Sequence, residues 1–514
     1  MALCLEEAKI ILEEHNLLKE SFNGNQESFD EIAYDSRKVK ANTLFFCKGN
    51  FKEEYLTSAL QNGATGYIAE TKYETNSKVA YLIVSDVQKA MALLSAAYYK
   101  YPQNELFIIG ITGTKGKTTS AYFTKGILDQ ATQHRTALFS TVDRVIGPKA
   151  EDTFKSNLTT PESLDLYHDM RAAVDNGMTH LVMEVSSQAY KKSRVFGLTF
   201  DVGIFLNISP DHVGENEHPT FEDYLFCKKQ LFANSKICLL NADTNYFEEV
   251  YYAAKSDVES SALYTYTHLN KKQLPDGNTI DIKVENIEET LISSQFKLVA
   301  LTNKAKELNL EDNYTITIPG DYNEGNATAA IISSILAKAT KENAQVGLKN
   351  VKVAGRMEMV HTKKHGLVYI DYAHNYASLH ALLEFLKAQT KVKRLIVVVG
   401  STGNKGVSRR EGFGKALSEG ADIAILTSDD PGFEDPMKIA KEIDQHIDHT
   451  KVKVEVELDR QKAIKKAIMM SKPSDVVVLA GKGEDKYQKI NGVDTPYPND
   501  LNVAKKVVEG LEDE

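Results

Sequence analysis

The part of the sequence that most constrains the fold is the glycine-rich stretch Gly110–Ser120, which reads GITGTKGKTTS. An apolar run at 106–109 precedes it, and a helical pattern at 121–128 follows it. A strand, a glycine-rich turn, Gly-Lys-Thr and a helix form a phosphate cradle, because backbone N–H groups and the helix N-terminus face the anion. Lys117 is then expected to reach the outer phosphates and Thr118 to offer its hydroxyl to Mg²⁺. The sequence therefore predicts a nucleotide site.

The spacing of this loop departs from the strict phosphate-loop pattern, which requires a glycine where this chain has Ile111. A glycine-rich turn that contains Gly-Lys-Thr by chance is the alternative interpretation. The strand before the loop and the helix after it favour the nucleotide site.

Composition and charge narrow the class of protein. A chain of 514 residues is long enough for several domains. Its net charge of −10 argues against a general nucleic-acid surface. Cys4, Cys47, Cys227 and Cys238 have neither metal-ligand nor disulfide spacing, which is typical of a reducing compartment. The N-terminus has the pattern of an amphipathic helix, and no apolar run approaches the roughly 20 residues of a membrane span. We expect a cytoplasmic protein without membrane insertion.

Hydrophobic patterns predict an α/β fold with three domains. Residues 1–103 mix a helix with short strands, and residues 104–345 alternate strands and helices as in a mostly parallel sheet. Within the second domain, residues 260–318 have short alternating pieces that indicate antiparallel strands at the sheet edge. Residues 346–514 repeat the strand–helix alternation, which predicts a doubly wound, Rossmann-like domain.

Polar residues follow several predicted strands of the middle domain. Glu184 ends the strand 180–185, and His212 comes just after the strand 201–207. Ligands bind at the carboxyl edge of parallel sheets, so Glu184 is expected to hold Mg²⁺ beside Thr118. A capping glutamate and a structural histidine are the alternatives. Three strand ends that meet at one edge favour a metal–nucleotide site.

The third domain has comparable polar clusters after its strands. They comprise 355–358, 371–374, 400–406, 429–432 and 481–485. Each cluster alone is compatible with turn chemistry, whereas together they mark a ligand-binding edge, and 400–406 is a second candidate anion cradle.

Taken together, the motifs resemble the Mur ligases of peptidoglycan precursor synthesis. The clusters that carry this resemblance span most of the chain: Asp35-Ser36-Arg37, Gly113–Thr119, Thr159–Glu162, Glu184–Gln188, Asp211-His212, Tyr224–Lys228, Gly355–Glu358 and Asp371–His374. The similarity is greatest to members that add a third residue to UDP-N-acetylmuramoyl-L-alanyl-D-glutamate. It implies a monomer with an N-terminal UDP-substrate domain, a central ATP domain and a C-terminal amino-acid domain.

The resemblance also implies a reaction and its contacts. ATP phosphorylates the D-glutamyl side-chain carboxylate, and an amino acid's α-amine attacks the acyl phosphate to give amide, ADP and phosphate. The implied ATP contacts are Gly113, Thr114, Lys115, Gly116, Lys117, Thr118, Thr119, Asn326, Arg356, Asp371 and His374. The implied UDP-substrate contacts are Ser36, Thr159, Thr160, Ser186 and Arg194.

Two Mg²⁺ sites follow from the same resemblance. Thr118 and Glu184 are expected on one ion, and His212 serves the second. Lys228 matches a lysine that the family carbamylates with CO₂ (N6-carboxylysine), which converts its cation into an anion for that second Mg²⁺. From composition alone, Lys228 is one of two adjacent lysines on a helix. The implied catalytic residues are Lys117, Glu184, His212 and Lys228.

The identity of the added amino acid depends on the third domain. Diaminopimelate-adding relatives carry arginines where this chain has Gly403 and Gly432, and their loss would leave the extra carboxylate unpaired. Asp429 and Asp430 suit an ammonium-ended side chain, so the resemblance implies L-lysine. The implied amino-acid contacts are Gly403, Lys405, Asp429, Asp430, Pro431, Gly432 and Asp485.

The chain departs from the family pattern in places. Lys115 stands where many relatives have Asn, Gly432 differs from the residue common in lysine-type motifs, and Glu484-Asp485 replaces a His-Glu pair. The alternatives are therefore a ligase for diaminopimelate or another amino acid, a folylpolyglutamate synthetase, or a non-catalytic nucleotide switch. The Ser36 region argues against the folate enzyme. Lys117, Glu184, His212 and Lys228 argue against the switch.

Overall fold

The computed structural model describes residues 1–75, 78–210, 214, 217–351, 353, 358–389, 391–404 and 406–512. The expected sites at His212, Arg356 and Lys405 lie outside the described residues. The chain divides into two compact units: a first unit of Met1–Glu285, Phe296–Tyr314 and Gly325–Lys349, and a second of Asn286–Gln295, Thr315–Glu324 and Asn350–Glu514. Among the described residues, no helix combines the length and apolar character that crossing a bilayer requires.

The N-terminal part of the first unit contains a five-stranded sheet. Its elements are β1 Leu3–Cys4, α1 Leu5–Glu14, β2 Leu18–Phe22, β3 Ser28–Phe29, β4 Glu31–Ala33, β5 Thr43–Phe46, α2 Glu53–Gln61, β6 Ala64–Ala69, β7 Ala80–Val84 and α3 Val87–Tyr98. The sheet order is β2-β7-β6-β5-β4, with β4 to β7 parallel and β2 antiparallel to β7. Leu44, Phe46 and Leu82 pack with Leu94 of α3 in a core that excludes water.

An eleven-stranded sheet follows along the chain. Its elements and neighbours are β8 Phe107–Thr112, α4 Lys117–Thr132, β9 Thr136–Phe139, β10 Asp143–Val145, β11 Thr153–Lys155, α5 Ser163–Asp175, β12 His180–Glu184, α6 Ser187–Lys191, β13 Phe200–Phe205, α7 Phe221–Ala233, β14 Ser235–Asn241, α8 Phe247–Asp257, β15 Leu263–Thr267, β16 Ile282–Glu289, β17 Ser294–Ala300, α9 Asn303–Lys306, β18 Asn313–Ile316, α10 Asp321–Leu336 and α11 Lys341–Asn350. The strand order is β11-β10-β9-β12-β8-β13-β14-β15-β16-β17-β18.

The direction of these strands confirms a mostly parallel sheet and corrects one expectation. The run from β9 to β16 is parallel, so the prediction of antiparallel strands from residue 260 is wrong for β15 and β16. Every residue of β15 is buried, which is typical of an interior parallel strand. Antiparallel pairings are described at the opposite edge, where β10 pairs with both β9 and β11.

The second unit contains a six-stranded sheet. Its elements are β19 Glu358–Val360, β20 Leu367–Asp371, α12 Tyr376–Ala388, β21 Arg394–Val399, α13 Ser408–Gly420, β22 Ile423–Leu426, α14 Pro436–Asp444, β23 Lys453–Val456, α15 Arg460–Met470, β24 Asp475–Ala480, β25 Tyr487–Ile490, β26 Val493–Pro496 and α16 Asp500–Glu512. The order is β19-β20-β24-β21-β22-β23, and β20 through β23 are parallel, as a doubly wound domain requires. β25 and β26 form a separate hairpin.

Candidate active site

The phosphate loop lies at the centre of the large sheet. Residues 113–116 join β8 to α4, and β8 lies between β12 and β13, parallel to both. Glu184 pairs with Ile111 across β12 and β8, so its carboxylate emerges beside the loop. Because all three strands end at one edge, their polar termini converge as the sequence predicts.

A left-handed glycine shapes this loop. Gly116 has φ +83°, and a Cβ there would lie 2.3 Å from Oδ1 of Asn326. Only glycine therefore fits both the backbone conformation and the space. Asn326, on α10, also accepts a hydrogen bond from the Ser120 hydroxyl at 3.3 Å, which places it against the start of α4.

Asn207 holds the loop from the next strand. Its Oδ1 accepts from the Lys115 N–H at 2.9 Å, its Nδ2 donates to the Lys115 carbonyl at 3.1 Å, and its own carbonyl accepts from Thr114 at 3.0 Å. Lys117 folds back over the same turn and donates to the Gly113 carbonyl at 2.8 Å. The loop is thus ordered by contacts within the protein.

The first turn of α4 brings Thr118 to Glu184. The Thr118 hydroxyl donates to Oε1 of Glu184 at 2.9 Å, and Thr119 is buried beside it. Glu184 is fully buried and also accepts from the Thr141 N–H at 2.8 Å and the Thr141 hydroxyl at 3.1 Å. Octahedral Mg²⁺ with bonds of about 2.1 Å places adjacent ligands about 3 Å apart, so this hydroxyl and carboxylate fit the ion.

Lys228 approaches the loop from α7. It is 1% exposed, and its Nζ donates to the Gly113 carbonyl at 2.8 Å. The ammonium also lies 4.8 Å from the ring centre of Tyr224. The Tyr224 hydroxyl is 3.1 Å from Oγ1 of Thr114, so one turn of α7 contacts the loop twice.

The expected substrate contacts surround the end of β12. The Thr160 hydroxyl donates to the Glu184 carbonyl at 2.9 Å and accepts from the Ser186 N–H at 3.0 Å. Oγ1 of Thr159 accepts from the Thr141 hydroxyl at 3.0 Å. These contacts join Thr160 and Ser186 to the main chain of Glu184, and they join Thr159 to its carboxylate through Thr141.

Arg194 belongs to a partly buried ion-pair group. Its Nη2 lies 2.8 Å from Oε1 of Glu162, whose other oxygen is 2.6 Å from the Lys48 ammonium. Burial would raise the pKa of Glu162, but Arg194 and Lys48 outweigh it and hold that pKa below its ordinary value. Two cations on one carboxylate leave an excess of positive charge that suits an anionic ligand.

Ser36 begins a short helical turn. Its carbonyl accepts from the Asn62 amide at 3.0 Å. Neighbouring Asp35 and Arg37, together with Leu164 and other residues, line a cavity of about 510 Å³. Lys48 lies over the ring of Tyr34, which lines the same cavity, so this cavity neighbours the Arg194 group.

In the second unit, Asp371 and His374 follow β20. Asp371 is 8% exposed, and its carbonyl accepts from the Gly481 N–H at 3.0 Å. Nδ1 of His374 lies 2.7 Å from the Tyr372 carbonyl. The two residues mark the carboxyl end of the β20–β24 pair.

A buried lysine occupies the acidic cluster of this unit. Lys482 is 1% exposed, and its Nζ lies 2.7 Å from Asp430, 3.5 Å from Asp485 and 3.7 Å from Asp429. Burial would lower the pKa of Lys482, but these carboxylates raise it above its ordinary value. Burial raises the pKa of Asp429 despite the Arg460 and Lys482 cations. Three carboxylates around one ammonium leave room for further positive charge.

The loops beside this cluster are closed to side chains. A Cβ on Gly403 would lie 1.8 Å from the Pro431 carbonyl oxygen, and Gly432 has φ +60°. The Gly432 N–H donates to the Lys489 carbonyl at 2.9 Å, which fixes the β25–β26 hairpin to this loop. The Gly403 and Asn404 N–H groups donate to Asp430 and Glu434, so at least these two amides of 400–406 are already used within the protein.

Several site residues carry little or no signal in the sequence. Asn207 was visible as a strand-end residue, but its amide contacts depend on strand order. Thr141 lies on a turn without a motif. Lys482 belongs to the 481–485 cluster that marks a ligand-binding edge, but the sequence assigns it no individual role, and a lysine in Gly-Lys-Gly after an apolar strand is its one signal.

Two protein-family models match separate parts of the chain. The Mur ligase middle domain matches residues 111–334, and the Mur ligase glutamate ligase domain matches residues 355–483. A Ligilactobacillus salivarius protein named UDP-N-acetylmuramyl-tripeptide synthetase is 61% identical over 511 residues, 99% of this chain and 100% of its own. An Enterococcus faecalis protein named UDP-N-acetylmuramoyl-L-alanyl-D-glutamate–L-lysine ligase is 47% identical over 522 residues, 99% of each chain.

Solved structures of other ligases have a similar fold to this chain. A UDP-N-acetylmuramoyl-L-alanyl-D-glutamate–2,6-diaminopimelate ligase superposes with a TM-score of 0.68 at 25% identity over 100% of both chains. A folylpolyglutamate synthase from Thermotoga maritima covers 76% of this chain and 90% of its own with a TM-score of 0.55, and its 16% identity shows a shared fold alone.

The chain belongs to the Mur ligase family. It is an ATP-dependent ligase of peptidoglycan precursor synthesis. This finding confirms the expected family and rejects the alternative of a non-catalytic nucleotide switch.

Proposed function

We propose that this ligase joins L-lysine to the D-glutamate of UDP-N-acetylmuramoyl-L-alanyl-D-glutamate. The D-glutamyl side-chain carboxylate attacks the γ-phosphorus of ATP and ADP leaves. The α-amine of L-lysine then attacks the acyl phosphate carbon, loses a proton and expels phosphate. The protein contributes positioning and charge neutralisation rather than covalent chemistry.

The phosphate loop is the proposed site of the ATP phosphates. Lys117 would exchange its hydrogen bond to the Gly113 carbonyl for a phosphate oxygen, which requires only a side-chain rotation. Thr118 and Glu184 would hold Mg²⁺, whose charge neutralises the phosphates during transfer. Their 2.9 Å separation supports this assignment.

Lys228 is proposed to act as a carbamate toward a second Mg²⁺, with His212. The Lys228 ammonium would first lose one proton, the Nζ lone pair of the neutral amine would then bond the carbon of CO₂, and a second N–H proton would leave to give the carbamate anion. The burial of Lys228 under the loop supports the assignment, because an anion there would face the phosphates' metal rather than bulk water. The carbamate would keep one N–H on Nζ, which can still donate to the Gly113 carbonyl.

Lys228→Ala tests this role. Turnover should be abolished while thermal unfolding shows a retained fold. The control is Lys229→Ala, because Lys229 is the next residue of α7 and pairs with Glu249 at the surface. Near-normal turnover in Lys228→Ala would reject the carbamate assignment.

The UDP-sugar dipeptide is proposed to bind along the end of β12. Thr159, Thr160, Ser186 and Arg194 would contact it there, and the excess positive charge of Arg194 and Lys48 over Glu162 supports an anionic ligand. Ser36 would contact a more distant part of the same molecule.

A division into domains at about residues 103 and 345 is supported by the separate sheets.

One observation carries the L-lysine assignment. Asp429, Asp430 and Asp485 surround the ammonium of Lys482, and the nearby Arg460 guanidinium is paired with Asp500, so the cluster keeps negative charge for another cation. Gly403 and Gly432 offer no cation to an extra substrate carboxylate. The name of the 47% identical Enterococcus faecalis relative agrees with this choice.

The test is phosphate release from ATP with the UDP-muramoyl dipeptide and one amino acid at a time. L-lysine should support turnover far better than diaminopimelate or ornithine. Release with diaminopimelate but not with L-lysine would refute the proposed specificity, and release with neither would refute the proposed acceptor class.

A further inference from the structure

A buried histidine outside the expected site joins two of its elements. His218 is 0% exposed, and both ring nitrogens have partners. Its Nδ1 lies 2.6 Å from Oδ2 of Asp223, and its Nε2 lies 2.9 Å from Oγ of Ser187. Hydrogen bonding from His218 lowers the pKa of Asp223, so that carboxylate is ionised and Nδ1 carries the proton.

The two partners come from different parts of the site. Ser187 begins α6, three positions after Glu184 on the same strand end. Asp223 lies in the first turn of α7, the helix that carries Lys228. One imidazole therefore links the strand end with the expected Mg²⁺ carboxylate to the helix with the expected carbamate.

Further contacts extend this link to the phosphate loop. The His218 ring meets the Tyr224 ring edge-on with centroids 5.2 Å apart, and the Tyr224 hydroxyl reaches Thr114. On the other side, Lys191 of α6 lies 3.1 Å from Asp223 and donates to a main-chain carbonyl beside His218. α6 and α7 are thus tied by the buried histidine bridge and by the more exposed Lys191 bridge.

We propose that His218 is a positioning residue of the ligase reaction, which fixes the separation between Glu184 and Lys228 through Ser187 and Asp223. This inference rests on the proposed metal site. Residues that orient metal ligands typically contribute about 10- to 100-fold to metal affinity or activity.

Two other roles fit the geometry less well. Serine, histidine and aspartate in this order resemble a hydrolytic triad, but Ser187 is 4% exposed and has no room for an acyl group. His218, Asp223 and Cys227 have ligand atoms within 4.8 Å of one another, as a metal site would. However, both imidazole nitrogens are already hydrogen-bonded, and burial raises the pKa of the Cys227 thiol to about 11.

The test compares two variants that both keep the Asp223 bond and lose the Ser187 bond. In His218→Asn the amide replaces Nδ1 and keeps the Asp223 bond, whereas Ser187→Ala removes only the other bond. His180→Gln is the control, because His180 begins the strand that Glu184 ends. Mn²⁺ binding is measured by electron paramagnetic resonance with a non-hydrolysable ATP analogue, so the readout does not depend on the amino-acid acceptor.

Both variants should weaken Mn²⁺ binding by about 10-fold or more and raise the half-saturating Mg²⁺ concentration of turnover. Thermal unfolding and the KM for L-lysine should stay near wild type. Unchanged Mn²⁺ affinity in Ser187→Ala would overturn the proposal, even if His218→Asn fails to fold. A KM for L-lysine that rises together with the Mn²⁺ dissociation constant would also overturn the proposal. Failure of the proposed function instead appears as wild-type protein that binds Mn²⁺ without lysine-dependent turnover.

Discussion

Replacing Lys482 by methionine tests the energetics of the acidic cluster. The substitution keeps the side-chain length and removes the charge that Asp429, Asp430 and Asp485 share. Breaking a buried ion pair costs about 3–5 kcal/mol, because the remaining carboxylate stays desolvated. The lower end applies here, since Asp430 keeps the Lys489 N–H at 2.9 Å and retains 22% exposure.

The assay is urea unfolding of the full chain, with amide hydrogen exchange of β24 to report on the second unit. At an m-value of about 2 kcal/mol per M, a loss of about 3 kcal/mol lowers the midpoint by about 1.5 M. Lys489→Met is the matched control, because its exposed pair with Asp494 contributes at most about 1 kcal/mol. A Lys482→Met midpoint within experimental error of wild type would refute the buried-pair argument.

Three further outcomes are expected. Burial raises the pKa of Glu324 to about 7, so ionising this carboxylate destabilises the folded protein. This destabilisation is absent below pH 4.5 and complete above pH 7. Glu324→Gln should therefore match wild type at low pH and unfold at higher temperature at pH 8, and equal melting at both would contradict this. Asn207→Ala removes two hydrogen bonds to the phosphate loop and should weaken ATP binding about tenfold, as measured by calorimetry. Unchanged affinity would mean that the loop keeps its conformation without Asn207. Thr118→Ala should raise the Mg²⁺ requirement without changing the KM for L-lysine, and an unchanged requirement would remove Thr118 from the metal site.

Local sequence signals predicted most of the fold correctly. The strand expected over 180–185 is β12 His180–Glu184, and the helical pattern at 121–128 lies within α4 Lys117–Thr132, because apolar periodicity and turn residues mark these elements. The direction of β15 and β16 was missed, because alternating polar residues resemble an edge strand whether its neighbour runs parallel or antiparallel. Strand direction depends on pairing with distant segments, which local patterns do not encode.

Only part of the candidate site could be predicted from the sequence. The loop from Gly113 to Thr118 and the carboxylate of Glu184 follow from strand ends and known chemistry. Asn207, His218 and Lys482 do not, since their roles depend on which strands are neighbours and on burial. Single polar residues without a motif become interpretable only when both partners of a contact are visible.

The central claim is amide formation through an acyl phosphate with L-lysine as the acceptor. The most direct measurement uses UDP-muramoyl dipeptide labelled with oxygen-18 in the D-glutamyl side-chain carboxylate, together with ATP and L-lysine. The account predicts one labelled oxygen in the released phosphate and a product heavier by one lysine residue. Phosphate without label, or product without lysine, would contradict it.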